Sequence, residues 1–172
     1  MRHSRALLFA SVLAVCVGCD HATKLAATAW LEPASVLPLA ADTVRLELAH
    51  NPGAFLSLGA GLPGGLRALV LLGLVPLGLL VATGFALRSG SSRRLPLVGS
   101  RRLPLVAVGL VAGGGLSNWL DRLLHAGLVT DFVSLGVGPV RTGIFNLADL
   151  AVVAGVVLLV AVAERRPDRS AA

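Results

Sequence analysis

Charge is what this chain has least of. Only 14% of its 172 residues are Asp, Glu, Lys or Arg, against about 25% in a soluble domain. With 55% hydrophobic residues and a mean hydropathy of +0.83, a soluble globular protein is excluded and a membrane-embedded one remains. Cysteine is nearly absent. Cys16 and Cys19 stand alone, which excludes a disulfide framework and leaves two small apolar residues packed in a helix. His21, His50 and His125 are scattered and lack a metal-ligand spacing such as His-Glu-x-x-His, so neither a metal nor another cofactor is expected. Ser57, Ser117 and Ser134 have no assignable His and Asp partners, which weakens the case for a serine nucleophile.

Apolar runs are what the chain has in quantity. Four can be marked, at about 6–30 (interrupted), 62–87, 103–121 and 145–163, each near the ~20 residues that cross ~30 Å of hydrocarbon. The expected fold is all-α: one four-helix integral membrane domain covering 1–172, with a surface segment at 31–61 and a loop at 88–102. The net charge of +6 could suggest nucleic acid, but its distribution points elsewhere. Arg2 and Arg5 precede the first run, Arg88, Arg93, Arg94, Arg101 and Arg102 separate the second and third, and Arg165, Arg166 and Arg169 follow the fourth. If the spans alternate, these ten share one side, and the positive-inside rule makes that side cytoplasmic. Both termini and the 88–102 loop are then cytoplasmic, the 31–61 segment is extracytoplasmic, and the partners are membrane lipids rather than nucleic acid.

The acids sort the other way. Glu164 and Asp168 fall on the cytoplasmic side; Asp20, Glu32, Asp42, Glu47, Asp121, Asp131 and Asp149 gather toward the opposite surface. A carboxylate within the bilayer costs roughly 2.5–3.5 kcal/mol on insertion scales, so such an acid is a functional candidate. Asp131 and Asp149 have no basic neighbour in sequence. Two carboxyls that share a site cannot both ionise cheaply, and such a pair supplies one general acid and one general base for amide hydrolysis without a covalent intermediate. Asp121, beside Arg122, is expected to be held ionised by that guanidinium. Asp20, Thr23 and Lys24 share one helix face. Lys24 is the only lysine, and both an ion pair with Asp20 and direct substrate contact stay open.

Smaller signals complete the picture. Val44 to Leu48 alternates apolar and charged residues, the period of a half-exposed strand, and Asn51-Pro52-Gly53 marks a turn. Together they predict a small β element on the extracytoplasmic surface. Pro76 should kink the second helix. Gly113-Gly114-Gly115 allows close helix approach, and Asn118 and Asp121 share a face. Residues 92–99 and 100–107 form a tandem repeat, to which no chemistry is assigned.

Five stretches, in order, then resemble a known family: Asp20-His-Ala-Thr-Lys24, Asn51-Pro-Gly-Ala54, Gly113-Gly-Gly-Leu-Ser-Asn-Trp-Leu-Asp-Arg122, Val129-Thr-Asp-Phe132 and Phe145-Asn-Leu-Ala-Asp149. The chain resembles the lipoprotein signal peptidases, the type II signal peptidases of bacteria, over almost its whole length. The resemblance implies an aspartic endopeptidase of the cytoplasmic (inner) membrane that cleaves diacylglyceryl-modified prolipoproteins just before the lipidated cysteine. It places the catalytic pair on Asp131 and Asp149. It places Asn118, Arg122 and Asn146 along the substrate site, with Asp20, Lys24, Asn51 and Gly53 near it, and gives Asp121 a supporting role. It also implies inhibition by globomycin. Departures are the nine residues between Asp121 and Asp131, one more than the common pattern, with Ala126 or a neighbour as the insertion; Thr130 where valine is usual; and Leu56-Ser57 in place of a small-aromatic pairing.

Two other classes compete. Arg2 and Arg5, the apolar Ala6 to Val15 and Cys16-Val-Gly-Cys19 resemble a secretory signal ending in a lipobox, which would make the chain a lipoprotein. Cys16 suits the third place before such a cut poorly, and cleavage would delete most of the first span. A proton-coupled transporter could use Asp20, Asp121, Asp131 and Asp149 as a relay, but the spans show no two-fold repetition.

Overall fold

A computed structural model describes residues 2–89 and 102–164. Most of the 88–102 loop, residues 92–101 of the tandem repeat, and the basic residues after Glu164 lie outside the described residues.

Among the described residues, four helical rods are long and apolar enough to cross a membrane. Helix α1 runs unbroken from Arg2 to Trp30, although polar residues interrupt its apolar run. Its polar residues do not break it, because Thr23 and Thr28 return their hydroxyls to carbonyls three and four residues back and Asp20 and Lys24 are buried. The second rod is continuous in three parts: α2 (Gly64–Ala68), a π-helical stretch (Leu69–Leu74) and α3 (Val75–Ser89). The wider winding falls just before Pro76, the expected site of a kink. Pro76 has no N–H to give the Leu72 carbonyl four residues back, and the Trp119 indole donates to that carbonyl instead at 3.1 Å.

Helix α4 (Leu103–Leu124) starts with Pro104 in its first turn, where a missing N–H costs nothing. It ends three residues beyond the expected span, where Ala126 and Gly127 turn left-handed at φ 52° and 87°. The Gly127 N–H then closes the helix on the Arg122 carbonyl at 2.8 Å. Helix α5 spans Leu147–Glu164, two residues later than expected, because Phe145 pairs through its main chain with Val133.

Helix α4 is the hub, packing against α1, α3 and α5, and its triple glycine explains how. A β-carbon on Gly113 would meet Cys16 of α1 at 2.7 Å, one on Gly114 would strike the Ala148 carbonyl of α5, and one on Gly115 would strike Leu79 of α3. Successive helical residues point about 100° apart, so three adjacent glycines admit three different helices. Cys16 thus packs as expected, whereas Cys19 is exposed.

The β element is larger than the sequence suggested. Strands β1 (Val36–Leu39), β2 (Val44–Asn51), β3 (Val129–Val137) and β4 (Val140–Arg141) form one antiparallel sheet in that order. A bulge between Leu46 and Ala49 shifts the β2–β3 register. Strand β3 was not anticipated. It carries Asp131, so the sheet delivers one of the two singled-out acids, while α5 delivers the other.

Candidate active site

The site is assembled where the end of α1, the end of α4, strand β3 and the start of α5 meet. Its centre is Asn146. As the residue before α5, Asn146 accepts the Asp149 N–H on its side-chain oxygen at 3.0 Å, while the Asp149 carboxylate accepts the Asn146 N–H at 3.2 Å. This reciprocal arrangement is a capping box, legible in the spacing Asn-x-x-Asp but not recognised there. The Asn146 side-chain amide also donates to Asp131 Oδ1 at 2.6 Å. One residue therefore holds both carboxyls.

The remaining oxygens are also engaged. Asp131 Oδ2 accepts from Asn51 Nδ2 at 2.9 Å. Asn51 is itself fixed by the expected turn, its side-chain oxygen accepting the Gly53 N–H at 2.8 Å. Gly53 is required there, since a β-carbon would come within 2.7 Å of the Ser57 and Leu58 main chain. Asp149 Oδ1 accepts from Asn118 Nδ2 at 2.9 Å. Both acids are buried, and neither forms an ion pair among the described residues. Burial pushes the Asp131 carboxyl from 3.8 up to about 6; the Asn51 hydrogen bond opposes the shift and the nearby Asp149 charge adds to it.

Behind this pair lies a second polar layer around Lys24, which reaches three acceptors: Asp20 Oδ2 at 2.6 Å, Asp121 Oδ2 at 3.0 Å and Asn118 Oδ1 at 3.0 Å. Asp20 does more than pair with it. Its other oxygen accepts the Ala148 N–H at 2.8 Å, so an acid on α1 satisfies an otherwise orphaned donor in the first turn of α5. Ser117, fully buried, donates to Asp20 at 2.7 Å and contacts His21 Nδ1 at 2.9 Å. Sequence reasoning weighed Ser117 only as a nucleophile and found it no His or Asp partner; the fold supplies both, from residues on α1 that lie 97 and 96 positions away in the chain.

The expected Asp121–Arg122 pairing is corrected. Adjacent residues on a helix diverge, and Asp121 turns to Lys24 and to the Thr130 N–H at 2.9 Å, anchoring the strand residue next to Asp131. Arg122 turns the other way. It donates to the Asn118 carbonyl at 3.0 Å and the Gly53 carbonyl at 2.6 Å, and its buried Nε has no partner among the described residues. All ten residues singled out in the sequence thus fall in one connected cluster. Two cations, Lys24 and Arg122, face four carboxyls, Asp20, Asp121, Asp131 and Asp149. Such an excess of acid in a buried place favours retention of a proton. Among the described residues no group of three His, Cys, Asp or Glu side chains is placed to hold a metal.

Comparison with known proteins gives a consistent result. The family model described as signal peptidase (SPase) II matches residues 12–163. A lipoprotein signal peptidase of Rhodococcus jostii is 37% identical over 92% of this chain and 73% of its own length. One of Mycobacterium avium is 33% identical over 91% of this chain and 78% of its own. A bacterial membrane enzyme solved by the in meso method superposes with a TM-score of 0.75 at 21% identity, covering 95% of this chain and 92% of that one.

Proposed function

Since the chain belongs to the signal peptidase II family, multi-pass membrane proteases that remove signal peptides from prolipoproteins, we propose that Asp131 and Asp149 are its catalytic acids. The observation that carries this assignment is their shared holder. Asn146 donates its amide to one carboxyl and its N–H to the other, while the cations of the cluster are bound to other groups.

The chemistry follows from that geometry. One carboxylate accepts a proton from a water as the water oxygen bonds to the scissile carbonyl carbon. The other, protonated, hydrogen-bonds the carbonyl oxygen and then gives its proton to the departing amide nitrogen as the C–N bond breaks. Burial serves both roles, because it raises the cost of the doubly ionised state and brings a carboxyl proton within reach of neutral pH. Asn118 and Asn51 orient the carboxyls from outside. Arg122 holds the Gly53 carbonyl and keeps N–H groups in reserve for substrate. Lys24, Asp20 and Asp121 fix the frame.

The substrates are diacylglyceryl-modified prolipoproteins, cut just before the lipidated cysteine. The arginine distribution supports a reading in which both termini are cytoplasmic and the acids lie at the extracytoplasmic leaflet, where an acyl-anchored cysteine would lie. Globomycin is expected to block the pair. The test is purified protein in detergent with a lipidated precursor, with and without globomycin. Asp131→Asn and Asp149→Asn should each reduce cleavage by roughly 10³-fold or more while the protein still inserts. Normal processing by either variant overturns the assignment.

A further inference from the structure

The buried Lys24 cluster meets solvent at His125, a side chain that the proposed chemistry does not use. Asp121 keeps only 3% of its side chain exposed, and it divides its two oxygens unevenly. Lys24 Nζ at 3.0 Å and the Thr130 N–H at 2.9 Å both fall on Oδ2. Oδ1 is met by His125 Nδ1 at 3.3 Å, and 52% of the His125 side chain is exposed. A ring nitrogen facing a carboxylate must carry a proton, which the imidazolium supplies and one of the two neutral tautomers supplies as well. The fold holds the ring in place. The His125 N–H donates to the Asp121 carbonyl at 2.8 Å, and the left-handed turn at Ala126 and Gly127 follows directly.

A charge at His125 bears on the acids beyond it. Asp121 anchors Thr130, the chain neighbour of Asp131, so the ring and the Asp131 carboxyl are on the order of 10 Å apart. Lys24, bound to the same Asp121, already acts across that gap, since its ammonium opposes the rise of the Asp131 carboxyl to about 6. The other ionisable groups around Asp121 and His125 come from every packed element. They are Asp20 of α1, with His21 behind it through Ser117; Arg122 of α4, turned toward Gly53; Asp131 of β3 and Asp149 of α5; and His50 of β2, paired in register with Thr130. When Asp131 and Asp149 share one proton, the carboxylates of the cluster outnumber Lys24 and Arg122 by a single negative charge. A protonated His125 cancels that excess, and a neutral one restores it. Histidine makes this change between about pH 5 and 8.

We propose that His125 is a positioning residue for the proteolytic reaction, whose charge, acting through Asp121, widens the pH range over which Asp131 and Asp149 hold one proton between them. On the acid side the imidazolium favours ionisation of one carboxyl. On the alkaline side its loss of charge helps the other carboxyl keep its proton. The inference rests on the reading of Asp131 and Asp149 as the catalytic acids. At ~10 Å and an effective dielectric of ~20–40, a unit charge moves such a titration by about 0.5–1 pH unit.

The experiment records kcat/KM against pH for the purified full chain in detergent with a lipidated precursor. His125→Asn keeps a neutral donor in the place of Nδ1. It should move the acid limb of the profile up by about 0.5–1 unit and leave the alkaline limb where it is. His125→Lys keeps the charge throughout. It should leave the acid limb alone and move the alkaline limb down by about the same amount. A merely structural contact would scale the whole profile and shift neither limb. An unmoved acid limb in His125→Asn, or an unmoved alkaline limb in His125→Lys, overturns the proposal, and either variant decides alone if the other fails to fold. Asp131→Asn, run alongside, separates the two readings. Its normal cleavage overturns both, whereas an inert Asp131→Asn beside unmoved limbs removes only the role of His125.

Discussion

Two parts of this molecule solve the packing problem in opposite ways. At the meeting of α1, α4, α5 and β3, buried polar atoms reach one another at 2.6–3.4 Å. The Gly64–Ser89 rod contributes few such groups. It leans on α4, and the Trp119 indole bond to Leu72 and the closeness of Leu79 to Gly115 are its specific attachments described above. The difference reflects the solvent. Lipid tails are as apolar as leucine, so burying leucine between helices gains little, whereas a polar group facing hydrocarbon without a partner costs several kcal/mol. Position is therefore specified strongly where polar groups converge and weakly where they do not, and Asp131 and Asp149, the proposed catalytic acids, sit in the strongly specified part.

That contrast can be broken at its centre. Lys24→Met removes the cation shared by Asp20 and Asp121 and leaves two buried carboxylates uncompensated, which should cost roughly 3–5 kcal/mol. The thermal midpoint and folded yield in detergent would report it, and an unchanged midpoint would mean that the cluster is not what holds the helices.

A subtler probe is pH. The Asp131 carboxyl titrates at about 6 in the fold, against 3.8 without its surroundings, so the folded state binds that proton more tightly than the unfolded one. The stability it contributes is fully present below about 3.8 and is lost as pH rises through about 6, by at most about 3 kcal/mol. Midpoints recorded from pH 4 to pH 8 should slope downward across that window, and the slope should flatten in Asp131→Asn. Equal slopes for the two proteins would contradict a raised pKa at this position.

The weakly specified region should yield the smallest effect. Trp119→Phe keeps an aromatic side chain, smaller than the indole, and deletes the indole N–H, leaving the Leu72 carbonyl without that donor at a cost of about 1 kcal/mol for the hydrogen bond. A loss as large as that of Lys24→Met would erase the distinction between the two regions.

Much of this was legible in the residues. Runs of apolar side chains announce helices that cross lipid, and four were marked within a few residues of their ends. The alternation at Val44–Leu48 announced β2, and the absence of basic neighbours singled out Asp131 and Asp149. The misses share a cause. Strand β3 exists because β2 lies beside it, and its sequence alone showed a motif around an acid rather than a ladder. The start of α5 was placed early because Phe145 is apolar, yet its main chain belongs to the sheet. Asp121 was assigned to Arg122 by adjacency, although adjacency along a helix separates side chains. Asn146 as a cap was a miss that local spacing could have prevented.

By itself the sequence determined that the chain enters a membrane, how many helices it can send across, and that its acids gather toward one end. Transfer from water to lipid is a sum over neighbouring residues, so composition along a window suffices to fix it. Only the tertiary structure decided that Lys24 reaches Asp20, Asn118 and Asp121 together, that Asp20 serves the first turn of α5, and that Asn146 stands between the two acids. A hydrogen bond acts within about 3 Å between groups that can be a hundred residues apart along the chain, and no local sum contains that information.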